Sequence, residues 1–145
     1  MKKPFLMFAM ASACLVAVQA RAQVSSPPPP GTLNPADAAY LADREKITAD
    51  YKAAKAQCDA MKDNAKDICI EEAKGKEKIA KAELDQKRTP SDSNARKVAE
   101  AKVEAVYGVA KEKCDEQKGD AKAACVKEAK AEEAKGKADI KAMKK

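Results

Sequence analysis

The sequence predicts an all-α protein built from two tandem antiparallel helical hairpins, each stapled by one disulfide. Three observations support this prediction: a composition rich in alanine, lysine and glutamate, a duplicated segment, and two cysteine pairs with equal spacing. Alanine, lysine and glutamate favour helices, whereas the aromatic residues that favour strands make up only 3% of the chain. Strands are therefore not expected.

The duplication has a period of 56 residues and runs at least from residues 51–74 to residues 107–130, where 12 of 24 positions are identical. The identical positions include a tyrosine and both cysteines of each copy. A repeat of this kind indicates one structural unit used twice.

The N-terminus has the pattern of a signal peptide over residues 1–22. Lys2 and Lys3 provide a positive start, residues 4–18 are mainly apolar, and Ala20-Arg21-Ala22 has small residues where a signal peptidase requires them. We expect cleavage after Ala22 and a periplasmic or secreted protein. No later segment has the roughly 20 apolar residues that span a bilayer, so no transmembrane segment is expected in the mature chain.

Two other mature N-termini remain open beside Gln23. A start at Arg21 is one. The other is a lipoprotein anchored at Cys14, because residues 11–14 loosely resemble the motif at which a lipid is attached to cysteine.

The charge pattern does not favour a nucleic-acid partner. Cleavage removes Lys2, Lys3 and Arg21, so the 29 basic residues fall to 26 against 23 acidic ones, a net charge of +3. Both signs alternate along the chain, which is typical of solvated helix faces rather than of a basic stripe.

The mature chain divides into a spacer and two units. Residues 23–33 are rich in proline and predict an extended spacer. Residues 34–88 form the first hairpin repeat and residues 89–145 the second. Each opens on a helix start signal, Asn34-Pro35 in the first and Thr89-Pro90 in the second, in which a capping residue precedes proline. A thin four-helix arrangement is one way in which the hairpins could pack.

The four cysteines of the mature chain are expected to form disulfides, because exported thiols meet an oxidising environment. Turn signals lie between the members of each pair, with Gly119 in the second unit, and favour Cys58–Cys69 and Cys114–Cys125 bridges. An unbroken helix would instead place the cysteines of one unit about 16 Å apart. Cys58 would then pair with Cys125 and Cys69 with Cys114.

A narrow apolar stripe follows the first helix at coiled-coil-like spacing and predicts a partner helix. Tyr51 and Tyr107 each precede a cysteine by seven residues. They are either exposed contacts for a sugar polymer or partner, or, as we prefer, the largest groups packed across each hairpin. The stripe consists of Tyr40, Ile47, Tyr51, Ala54, Cys58 and Met61.

Residues that commonly carry catalysis are missing. The chain contains no histidine, its cysteine pairs are too far apart for a redox motif or a structural zinc site, and its five glycines form no phosphate-binding loop. We therefore expect no catalytic residue, no metal and no cofactor, and we do not favour a small-molecule ligand.

Over residues 40–145 the chain resembles small exported bacterial proteins, some labelled TolA-like cell-envelope proteins. The resemblance rests on residues 110–115, residues 63–69 and the Glu-Ala-Lys that follows the second cysteine of each pair. Together with the lack of catalytic residues, this leads us to expect a non-enzymatic structural or adaptor protein of the cell envelope, whose partner is an envelope protein or an anionic envelope polymer. Residues 72–76 and 133–137 are also similar to desiccation-protective helical proteins, which gives stress protection as the alternative function.

Overall fold

The computed structural model describes residues 34–143, which fold into four α-helices and contain no strand. The helices are α1 (Pro35–Cys58), α2 (Asp63–Arg88), α3 (Asp92–Cys114) and α4 (Gly119–Ala142). The all-α prediction is confirmed. The predicted signal peptide, Cys14 and the proline-rich spacer lie outside the described residues. Within them, no helix combines the length and the apolar character that crossing a membrane requires.

The start of α1 follows the sequence signal, whereas the start of α3 does not. The Asn34 side chain accepts a hydrogen bond from the Asp37 backbone N–H at 2.9 Å, and proline opens the helix. In the second unit the cap is Ser91, two residues later than the Thr89-Pro90 signal suggested. Thr89 still donates its backbone N–H to the Asp85 carbonyl, so it belongs to the last turn of α2 and is not free to cap α3.

Each hairpin has one tight turn between its two helices, and the two turns have matching backbone conformations. Gly119 opens α4 with a φ of +57°, and Asp63, its counterpart in the repeat, has a φ of +50°. This left-handed region costs a residue with a Cβ about 1–2 kcal/mol, and glycine almost nothing. The second turn therefore has the residue that suits its conformation, and the first turn is strained.

Substitution of Gly119 by alanine is expected to destabilise the oxidised protein by about 1 kcal/mol. A Cβ at this position would meet no atom within 4 Å, so the cost comes from the backbone alone. Asp63→Gly is the matched variant and should stabilise the protein by a few tenths of a kcal/mol. The backbone strain that it relieves is larger than the free-energy cost of the greater conformational entropy that glycine gives to the unfolded chain. Urea unfolding measures both changes. A Gly119→Ala variant as stable as the wild type would show that the second turn is not left-handed in solution.

The helices pack in an open row. Each contacts its neighbour along the chain, and within residues 34–143 α1 and α4 do not touch, so the arrangement is not a closed four-helix bundle. Every connection reverses the chain direction, and α1 and α3 therefore run parallel. Both disulfides consequently lie at one end of the row, and the α2–α3 turn lies at the other.

The central interface, between α2 and α3, joins the two repeats. Two ion pairs cross it, Lys78 with Glu104 and Glu83 with Lys102, and their order shows that the helices are antiparallel. Near the disulfide end the Asn64 amide donates to the Glu112 carbonyl at 2.9 Å. The first turn is thereby tied to the second unit.

The core is thin and consists mostly of small side chains. Cys58 is 1% exposed and Cys114 is fully buried, and they are the largest fully buried side chains of the described part of the chain. Alanine or cysteine in these places removes little apolar surface from water, so helix packing alone stabilises the row weakly. The other buried residues are Ala73, Gly75, Ala101, Ala129 and Ile140.

The predicted stripe of α1 faces α2 except at its end. Tyr40 is half-buried, its hydroxyl donates to the Asp85 carboxylate, and the Arg88 guanidinium lies 4.2 Å from its ring centre. Met61, by contrast, is 46% exposed because α1 stops at Cys58 and places this residue in the turn. The stripe therefore ends one step earlier than its spacing predicted.

Candidate functional site

The disulfides pair cysteines within each hairpin, as expected from the turns between them. Cys58 and Cys69 have Cα atoms 5.5 Å apart, and Cys114 and Cys125 have theirs 5.6 Å apart. Each bridge joins the last residue of one helix to the second turn of the next. The alternative with unbroken helices and bridges between units does not occur.

A salt bridge crosses each turn beside its disulfide. Asp59 pairs with Lys66 at 3.0 Å, and the equivalent Asp115 pairs with Lys122 at 3.0 Å. The hydrogen bond from Lys66 and the nearby charge of Lys55 hold the pKa of the Asp59 carboxyl below its usual range. Because these side chains are exposed, the pairs reinforce the turns only modestly.

Each hairpin has a groove between its two helices, and the two grooves are built from equivalent repeat positions. The α1/α2 groove has a volume of about 310 Å³ and the α3/α4 groove about 560 Å³. Tyr51 lines the first and Tyr107 the second, and both rings are half-buried. The preferred interpretation of the tyrosines, that they pack across the hairpins, agrees with this position.

A third groove, of about 600 Å³, lies between α2 and α3 and has no counterpart in the repeat. Lys76 lines both this groove and the α1/α2 groove, and Val106 lines both this groove and the α3/α4 groove. All three therefore open on the same side of the row, which we call the grooved face. The α2/α3 groove is lined by Glu72, Gly75, Lys76, Ile79, Lys102, Ala105, Val106, Val109, Ala110 and Lys113.

Val106 is the most exposed large apolar residue of the grooved face. The residue is 67% exposed on the ridge of α3 between two grooves. Asp50 stands at the equivalent position of the first unit and lines the α1/α2 groove. The fold therefore accepts a charged residue here, and packing does not require the valine.

Sequence reasoning missed Val106 as a candidate contact. Alignment of the two repeat copies pairs Val106 with Asp50 and could have drawn attention to it, but the exposure of a valine on an alanine-rich helix is not evident until its neighbours are known. Val103 and Tyr107 beside it are half-buried, although all three belong to the same short stretch.

The described residues form an apolar, charge-rimmed surface along the grooved face. No group of histidine, cysteine, aspartate or glutamate side chains between residues 34 and 143 is arranged to hold a metal ion. The grooves are shallow and apolar at their floors, with charged side chains at their rims, which suits contact with another macromolecule.

Comparison of the chain with family models, with curated proteins and with solved structures finds no match.

Proposed function

We propose that the protein is a non-enzymatic, exported helical adaptor of the bacterial cell envelope. In this proposal residues 1–22 direct export, and the two stapled hairpins present the grooved face to another envelope component, either a protein or an anionic polymer. Disulfides are compatible with a location outside the cytoplasm, where thiols pair. The resemblance to small exported proteins of the envelope points to the same role.

The observation that carries the proposal is the exposed Val106 on a frame whose helices are joined in pairs by disulfides. Rigid presentation of a surface lowers the entropic cost of binding, because the groups that make contact are already in place. A protein that acted only as a disordered protectant would have no use for a fixed ridge between two grooves.

An adaptor should be ordered before it meets its partner, whereas a desiccation protectant of this composition should be disordered in dilute buffer. We therefore expect the oxidised protein, recovered from the periplasm of a bacterium that expresses the full chain, to be strongly helical in dilute buffer. Circular dichroism at 222 nm measures this, with trifluoroethanol as the reference for full helicity.

Two outcomes would contradict the proposal, and a third would change how the protein is held in the envelope. Failure to recover the protein from the periplasm would contradict export. A disordered spectrum that becomes helical only on drying or in alcohol would favour the protectant function. A mass that shows a lipid on Cys14 would keep the adaptor role but replace the released protein by a membrane-anchored one.

A further inference from the structure

The α2/α3 groove has the length and floor of a binding site for one short helix. Lys102 and Lys113 line its two ends on α3, and 11 residues of helix span about 16 Å, or three turns. Between them the floor consists of small or apolar residues. Helices that bind in grooves place apolar side chains at spacings of three and four along such a length. The floor is formed by Gly75, Ile79, Ala105, Val109 and Ala110, and Val106 stands on the ridge along one side.

The rim of this groove is mainly basic. Three lysines line it, and of these only Lys102 has an ion-pair partner in the described part of the chain, Glu83 at 2.9 Å. Lys76 and Lys113 form no ion pair with any residue between 34 and 143. Glu72 is the single acidic residue that lines the groove. An occupant with acidic residues beside its apolar stripe would therefore be complementary to the rim.

The α4 wall of the neighbouring α3/α4 groove is acidic. Glu128, Glu132 and Glu133 line that wall, and Glu132 occupies the repeat position that Lys76 occupies in the first unit. An acidic helix would be repelled there. The two grooves share Val106, Lys102 and Lys113 of α3 and differ in their other walls, which carry three glutamates on α4 but one glutamate and one lysine, Glu72 and Lys76, on α2. An acidic occupant is therefore favoured in the α2/α3 groove.

We propose that the α2/α3 groove binds an acidic amphipathic helix of a partner protein, about three turns long. Its apolar residues contact Ile79, Val106 and Val109, and its acidic residues lie against Lys76 and Lys113. This inference rests on the proposed adaptor function and specifies the chemistry of the partner.

The experiment uses the oxidised full-length mature protein and synthetic peptides of about 15 residues, long enough to cover the groove. The probe is a helical peptide of leucine, alanine and glutamate with leucines at spacings of three and four. In one control peptide lysine replaces glutamate, and in a second, glutamate replaces leucine. We expect only the first peptide to bind in a fluorescence anisotropy titration, and to shift the methyl NMR signals of Ile79 and Val109.

Variants locate the site without disturbing the fold, because the changed side chains are exposed. Lys76→Glu combined with Lys113→Glu should weaken binding about tenfold, since two favourable charge contacts become repulsive. Val106→Asp introduces the residue found at Asp50 and should also abolish or strongly reduce binding. Lys52→Glu, on the exposed surface of α1, is the matched control and should leave the affinity unchanged.

Several results would overturn the proposal. Equal binding of the lysine peptide would show that charge does not select the occupant. Equal binding of the glutamate-only peptide would point to an anionic polymer instead of a helix. No binding by a protein that is helical before the titration would refute this inference alone, whereas a protein disordered at that stage would refute the adaptor function on which it rests.

Discussion

Reduction of both disulfides is expected to lower the melting temperature of the protein by about 20 °C or more. Each bridge closes a loop with a sequence separation of 11 residues. Closure of such a loop contributes about 2.8 kcal/mol through the lost entropy of the unfolded chain. For a domain of this size about 1 kcal/mol moves the midpoint by roughly 4 °C or more. Two bridges together contribute about 5.6 kcal/mol, which equals the lower end of the stability of a small domain, about 5–15 kcal/mol.

The effect should be this large because the row has little else to stabilise it. Its buried side chains are mostly alanine and cysteine, and reduction separates the two most buried sulfurs, those of Cys58 and Cys114, from their partners. Thermal melts followed by circular dichroism, with and without reductant, measure the change.

Alanine variants separate the two bridges. The pair Cys58→Ala and Cys69→Ala removes one bridge, and the pair Cys114→Ala and Cys125→Ala removes the other. Removal of either bridge should lower the melting temperature by about half as much as reduction of both bridges. Melting that is indifferent to reductant would mean that the α2/α3 interface stabilises the row more than its small side chains suggest.

The helices and the stapled hairpins could be predicted from the sequence because their signals are local. Ala/Lys/Glu composition sets helix propensity, Gly119 supplies the left-handed turn, and equal cysteine spacing places the bridges. The errors also have local causes. Thr89 was expected to cap α3 but belongs to the last turn of α2. Met61 was expected on the apolar stripe because its spacing continues the pattern, but α1 ends before it.

The row and its grooved face could not be predicted, because they depend on how the two units meet. Gly75 appeared in the sequence only as a glycine inside a helix, which lowers helix propensity and indicates nothing about a partner. In the structure it is buried against Ala105 of α3, with no room for a Cβ.

Differences between the repeat copies also make the outer faces of the row formed by residues 34–143 unlike the faces that meet in its centre. In the repeat alignment, the outer face of α4 corresponds to the face of α2 that packs against α3, and the outer face of α1 corresponds to the face of α3 that packs against α2. Ala131 stands at the position of Gly75, and Lys52 stands at the position of Gly108. A Cβ at Gly75 would lie 2.7 Å from the Ala105 Cβ, so Ala131 prevents the same close approach to a further helix. Polar or bulkier outer faces end such arrays and keep them discrete.

Substitution of Gly75 by alanine is expected to destabilise the protein by about 1–2 kcal/mol. The added Cβ would lie 2.7 Å from the Cβ and 3.4 Å from the Cα of Ala105, so α2 and α3 must move apart. Overpacking of this kind costs about 1–3 kcal/mol, and the better helix propensity of alanine offsets at most about 1 kcal/mol of that. Thermal or urea unfolding of the oxidised variant measures the net change.

Gly108→Ala is the matched control on the same interface. Its Cβ would lie 3.1 Å from the Glu71 carboxylate, the end of a flexible side chain that can turn away, so only the gain in helix propensity remains. This variant should be as stable as the wild type or more stable, by up to about 1 kcal/mol. If both substitutions were neutral, α2 and α3 would not be in close contact at Gly75, and the groove between them would be wider than the one on which the helix-binding proposal depends.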